Sequence, residues 1–172
     1  MKTASRLGED EVSGRELFGL QLESFDQITD PIQLSSKYFV CFLGWDSTNA
    51  TTEAISQVAE ILLKSGCVYI CACGDGCERV HDIFDEVSVG VNPALDDDPV
   101  IMTTWHKEES LDDALWYFLN STFPDDQYAD NCHAALAVSI GLFSEYQERI
   151  EFALTSPREF SSQVLSEEED VT

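Results

Sequence analysis

Four apolar runs, separated by segments of helical periodicity, constrain this chain most. They are K-Y-F-V-C-F-L-G from Lys37, C-V-Y-I-C-A-C from Cys67, P-V-I-M-T-T-W from Pro99 and H-A-A-L-A-V-S-I-G from His133. Short continuous runs of this kind suit strands covered on both faces. Between the first two, Ile55, Val58, Ala59 and Leu62 recur at helical spacing and the pattern ends at Gly66, a residue that tolerates the backbone of a helix terminus. Residues 75–87 form a second amphipathic segment. Residues 110–121 form a third, with Ser110 and Asp113 spaced as a capping pair, and Ser144 to Gln147 opens a fourth with the same pattern.

Strands alternating with helices imply a parallel sheet with right-handed crossovers and helices on both faces. The expected fold is therefore α/β, a three-layer Rossmann-like or flavodoxin-like sandwich of about four parallel strands in the order 2-1-3-4. Residues 1–35 are expected as a partly helical N-terminal segment, with a short helix in R-E-L-F-G-L-Q-L-E-S-F, and residues 36–163 as the α/β domain. Residues 164–172, S-E-E-E-D-V-T at their end, are expected as a disordered acidic tail. At 172 residues the chain has one domain's length, enough to bury roughly 70% of the surface an unfolded chain exposes.

Charge narrows the function classes. Thirty-three acids face 9 bases, a net charge of −24, and between Tyr38 and Glu148 the only bases are Lys64, Arg79 and Lys107. Such a body repels nucleic-acid phosphates and anionic lipid, and attracts a basic protein partner. No apolar stretch reaches the length that spans a bilayer, and the N-terminus carries no signal pattern, so a cytoplasmic protein is expected. In that setting the six cysteines are expected as free thiols.

The densest chemistry lies in C-V-Y-I-C-A-C-G-D-G-C-E-R-V-H-D, residues 67–82. Cys67, Tyr69, Cys71 and Cys73 alternate along a strand and are expected to share one face as small buried side chains. Cys77 falls in the first turn of the next helix, where the macrodipole favours a thiolate. His81 and Asp85 follow at steps of four and form one row with it. Cys77, Val80, Phe84 and Val87 equally trace the apolar stripe that must face the sheet, so core packing explains the row without chemistry.

Ligands of open α/β sheets bind beyond the carboxyl ends of the strands. The loops expected there add Asp46 and His106, making Cys77, His81, Asp46 and His106 the candidate catalytic set. Cys77 and His81 with His106 or Asp46 could hold zinc, though C-x-C and C-x-x-x-C are not the paired knuckles of structural zinc sites. Cys73 and Cys77 could also form a regulatory disulfide. Nucleotide binding is disfavoured, because no G-x-G-x-x-G follows the first strand and G-D-G places an acid where a phosphate would sit. Trp45 and Trp105 would wall a pocket or cap the core. The helix with Trp116 is apolar nearly all round and is expected to be covered by the N-terminal segment or by a second copy in a homodimer.

The pattern S-G-C-x-Y-x-C-x-x-G-x-x-C-E-x-x-H-D-x-x-D-E, residues 65–86, resembles the signature of a family of small uncharacterised bacterial α/β proteins. The resemblance implies the fold and a bacterial or phage origin, and it brings no catalytic residue with it. Two functions follow from the residues themselves. The first is a non-enzymatic acidic interaction protein of the immunity, antitoxin or regulatory type, with Asp96, Asp97, Asp98, Asp112, Asp113, Asp125 and Asp126 as candidate contacts to a basic partner. The second is an enzyme or ligand sensor with a thiol or metal site at the strand ends.

Overall fold

In a computed structural model of the protein, which describes residues 2–91 and 98–171, the α/β class holds. Among the described residues the sheet has six strands rather than four. Two come from the N-terminal segment: β1 (Ser5–Asp10) and β2 (Arg15–Leu22), joined by a tight turn and paired antiparallel. The expected helix in R-E-L-F-G-L-Q-L is thus a strand. Phe18, Leu20 and Leu22 alternate onto one face, Leu17 goes to the other, and residues 16 to 22 run parallel beside the last strand.

The four apolar runs form β3 (Tyr38–Trp45), β4 (Cys67–Cys73), β5 (Met102–His106) and β6 (Cys132–Ile140). The order is β1-β2-β6-β3-β4-β5, with every pair parallel except the first. Among the four expected strands this places the fourth beside the first, and corrects the order 2-1-3-4. Local periodicity predicts strands but says nothing of which neighbour each finds.

Helices α1 (Thr52–Lys64) and α2 (Cys77–Val91) follow β3 and β4 and lie on one face, burying Ile55, Val58, Leu62, Val80 and Phe84 against Cys41, Leu43, Leu136 and Val138. Helix α3 (Leu111–Asn120) crosses back on the other face. It is joined there by the short α4 (Asp126–Ala129), by α5 (Ser144–Thr155) and by α6 (Pro157–Val171). Leu115, Phe118, Ile150, Leu154, Phe160 and Val164 pack there on Val40, Phe42, Ala135 and Ala137.

The tail is a helix. Pro157 opens α6 with a fixed φ suited to a first turn, and Val164, assigned by the sequence to a disordered end, is 3% exposed. Helix α6 also covers the outer side of α3, where Asn120 bonds Ser161 at 3.0 Å, so the cover of that apolar helix is the chain's own C-terminus rather than its N-terminus. No helix among the described residues is long and apolar enough to cross a membrane.

Candidate functional site: an acidic cleft at the strand ends

β3 leads into α1 on one face and its neighbour β6 leads into α5 on the other, so the loops part between these two strands. Crevices of this kind are the usual ligand sites of open α/β sheets. A cleft of about 920 Å³ opens there. Gly44 lies at its floor, where a Cβ would press on Leu142 at 3.0 Å and on Phe42 at 3.1 Å.

The first wall is a pair of laced loops. Gly74 and Gly76 take φ of +108° and +83°, the region that favours glycine. A Cβ on Gly74 would run into the Trp45 carbonyl, and one on Gly76 would come to 2.6 Å from Ser47 Oγ. The close approach lets Ser47 N–H donate to the Asp75 carbonyl at 2.9 Å, and Arg79 reaches back to donate to the Ala50 carbonyl at 2.8 Å. Asp46 is exposed on this wall. Its carboxylate accepts from Thr48 N and Oγ1 at 3.1 and 2.7 Å, and these bonds hold it below the usual carboxylate range.

The second wall is the β5–α3 loop. His106 is 5% exposed, its Nδ1–H donating to Glu109 Oε2 at 2.6 Å while Nε2 pairs with the Thr104 hydroxyl at 3.1 Å. The ring lies 4.8 Å from Tyr117, whose hydroxyl bonds that of Tyr69 at 2.5 Å. A buried imidazole thus fixes one oxygen of a carboxylate whose side chain is 45% exposed at the cleft. Beside it, Glu108 adopts φ +62°, uncommon for a residue with a Cβ. Lys107 spans toward α2, its Nζ 3.7 Å from Glu78.

Of the sequence candidates, the cleft gathers Asp46, Cys77 and His106, and leaves His81 out. His81 turns to the β5 edge, 3.0 Å from Asp82, 3.6 Å from Asp85 and with its ring 4.4 Å from Trp105. The row of Cys77, His81 and Asp85 is therefore split: the thiol turns inward and the imidazole sideways. Cys77 is 2% exposed, and burial pushes its thiol up, more than the N–H groups of His106 and of its own turn pull it down. This corrects the expectation of a macrodipole-stabilised thiolate. Cys73, half-buried at the cleft, is likewise pushed up to about 11, first by burial and then by Cys77.

All six cysteines are free thiols. Cys67 does not share the face of Tyr69, Cys71 and Cys73. The register of β4 against β3 slips between Phe39 and Val40, and Cys67 enters the layer beneath α1. Among the described residues no three His, Cys, Asp or Glu side chains stand together as a ready metal set, and of the suggested zinc ligands Cys77 and His106 line the cleft while His81 lies apart. Trp45 is buried against Phe25 and Trp105 lies on the β5 edge, so neither lines the cleft.

Several of the expected contact acids have structural work. Asp112 pairs bidentately with Arg149 at 2.7 and 3.0 Å, and Asp125 caps α4 through Gln127 N–H. Asp113 and Asp126 stand in first turns of α3 and α4, where a negative charge suits the helix dipole. Asp96 and Asp97 lie outside the described residues.

Three site residues escape sequence reasoning. Glu109 follows His106 by three positions in a loop with no periodicity to flag it, and Phe143 and Tyr146 form the cleft's open rim. Phe143 is 78% exposed at the N-cap of α5, with Tyr146 6.4 Å away ring to ring. Nothing flags the aromatic, because the sequence offers Ser144 with Gln147 as the capping pair, whereas the N-cap is Phe143 without a side-chain cap and Gln147 accepts from Ser139 instead.

No curated protein and no solved structure matches the chain. A family described as a domain of unknown function (DUF7684) matches residues 18–157, from the second strand to the first turn of the last helix. That span contains every loop of the cleft, and the chain belongs to the DUF7684 family.

Proposed function

We propose that the protein is a non-catalytic interaction protein that takes a basic segment of a partner protein into this cleft. The charge of the lining carries the reading: among the described residues Asp46, Asp75, Glu78, Asp82, Glu108 and Glu109 outnumber the basic side chains Arg79, Lys107 and His106, of which Arg79 is committed to the Ala50 carbonyl and His106 to Glu109 and Thr104. An acidic concavity with low-dielectric walls focuses the field of the whole −24 chain onto its mouth, raising the encounter rate of a basic partner. A phosphate ligand would meet the same carboxylates at the start of α2, where Asp75 and Glu78 flank Cys77. A flavodoxin-like kinship of the sheet agrees with a ligand at this crevice but not with an anionic cofactor.

The runner-up, an enzyme or sensor using thiol or imidazole, draws on the His106–Glu109 pair. It is supported less, because both imidazole nitrogens are engaged and the nearby thiols are held protonated.

The test is titration of the protein with a basic peptide, comparing the native chain, a Asp75→Asn/Glu78→Gln/Glu108→Gln variant, and a Glu167→Gln/Glu168→Gln/Asp170→Asn control on the last turns of α6. The cleft variant is expected to weaken binding at least about tenfold and to flatten its salt dependence, while the control loses little. Equal losses in both would place the interaction on net charge alone and reject the cleft.

A further inference from the structure

We propose that the rim pair Phe143 and Tyr146 makes the cleft selective for arginine over lysine, by stacking the guanidinium of the incoming segment above the acids. The inference rests on the acidic-cleft reading and adds a recognition element to it.

The starting point is the cost of Phe143 where it stands. It occupies the N-cap of α5 without a side-chain hydrogen bond to the helix, and 78% of its surface is exposed. Both facts are unfavourable for stability, since a hydroxyl or carboxylate would satisfy an orphan N–H and an exposed phenyl buries little. Tyr146, one turn on, is 46% exposed and tilted at 38° to it. Two open aromatic faces at the mouth of a cavity lined by carboxylates form the combination that attracts a cation: rings for the quadrupole and acids for the charge.

Guanidinium fits better than ammonium. It is planar, weakly hydrated and stacks on rings, and it presents parallel donors to a carboxylate. Glu109 suits such a partner because His106 holds one of its oxygens, so its plane is set before a ligand arrives. The same pairing occurs within the fold, where the Arg149 guanidinium lies 4.7 Å from the Phe160 ring centre while bonding both oxygens of Asp112. Lys107, drawn to Glu78, occupies the acids weakly and is displaced on binding. A protein segment is the occupant, rather than a small free polyamine. A cavity of about 920 Å³ lies at the upper end for small-molecule sites, and the outward-facing ring reaches a ligand that continues beyond the cleft.

The experiment is calorimetric titration with acetylated hexa-arginine amide, acetylated hexa-lysine amide and spermine, using the native chain and a Phe143→Ser/Tyr146→Ser variant. In the native chain hexa-arginine is expected to bind about fivefold or more tightly than hexa-lysine. The variant should bind both peptides equally and retain the salt dependence. Its urea midpoint should be unchanged or raised, because serine is a good N-cap, so loss of selectivity cannot be assigned to misfolding.

Equal affinity for the two peptides in the native chain, or a preference that survives in the variant, overturns the aromatic seat and leaves the acidic cleft standing. Spermine binding as tightly as hexa-arginine overturns the protein segment as occupant. Absence of binding by all three probes rejects both this inference and the acidic-cleft reading.

Discussion

At the scale of single residues, the cysteine-rich stretch that looks most reactive is mostly interior. Burial pushes the Cys71 thiol up to about 12 and those of Cys73 and Cys132 up to about 11, well above the ordinary thiol value of about 8.5. In each case desolvation of the thiolate is the largest cause. A group whose pKa is raised on folding binds its proton more tightly in the native state. Its contribution is complete below the unfolded-state value and is lost as pH rises toward the folded one. Between roughly pH 9 and 11 each such thiol should therefore subtract up to about 1.4 kcal/mol of stability per pH unit. Urea unfolding followed across that range under reducing conditions should show a falling midpoint, and Cys71→Ala should show a shallower fall than the native chain. Parallel slopes would mean that Cys71 ionises as readily in the folded protein as in the unfolded one.

At the scale of elements, the chain's own C-terminus does work that its composition conceals. Phe160 is fully buried between α3 and α5, edge-on to Phe152 and beneath Arg149, which also anchors Asp112 at the start of α3. Replacing it with alanine leaves a large void that only partly collapses, and Phe160→Ala is expected to cost about 3 to 5 kcal/mol in urea unfolding. A cost below about 1 kcal/mol would show that α6 is not part of the cooperative unit.

The sequence hides this helix because its last turns, Glu167 to Asp170, are acidic all round, and only Phe160 and Val164 among the apolar residues beyond Pro157 mark the buried side. β2 resembles a helix in sequence for a different reason. Leu17, Phe18, Leu20 and Leu22 satisfy helical steps of three and four as well as the strand step of two, and only the presence of β6 alongside decides between them. The four apolar runs are legible from their length and flanking breaks, α1 and α2 from apolar residues at helical spacing, α3 from its capping pair Ser110 and Asp113, and α5 from its polar start alone. Within the site, Asp46, Cys77 and His106 were legible as strand-end residues, since fold class alone says where such loops meet. The divergence of His81 from Cys77 was not, because it depends on which side of α2 meets β5.

At the scale of the whole molecule, one quantity, the −24 charge, acts on stability and on association with opposite signs. The few cations are spread thinly: Arg158 pairs with buried Asp10 at 2.9 Å, Arg15 donates to the Thr122 carbonyl at 2.7 Å, and Arg149 and Arg79 hold α3 and the cleft wall. With 33 acids against 9 bases, the mutual repulsion of the carboxylates favours expansion of the chain. Screening relieves that repulsion, with a Debye length falling from about 30 Å at 0.01 M salt to about 8 Å at 0.15 M. Raising sodium chloride across this interval should raise the Tm by a few degrees, since for a chain of this size about 1 kcal/mol corresponds to roughly 2–4 °C. The same change should slow association with a basic peptide by about tenfold or more. Scanning calorimetry and stopped-flow mixing at matched salt concentrations read the two effects on one sample. A Tm that falls with salt would mean that the local ion pairs outweigh the global repulsion. A rate indifferent to salt would remove electrostatic steering from the proposed function, because a cleft that gathers cations at long range must lose that advantage when its field is screened.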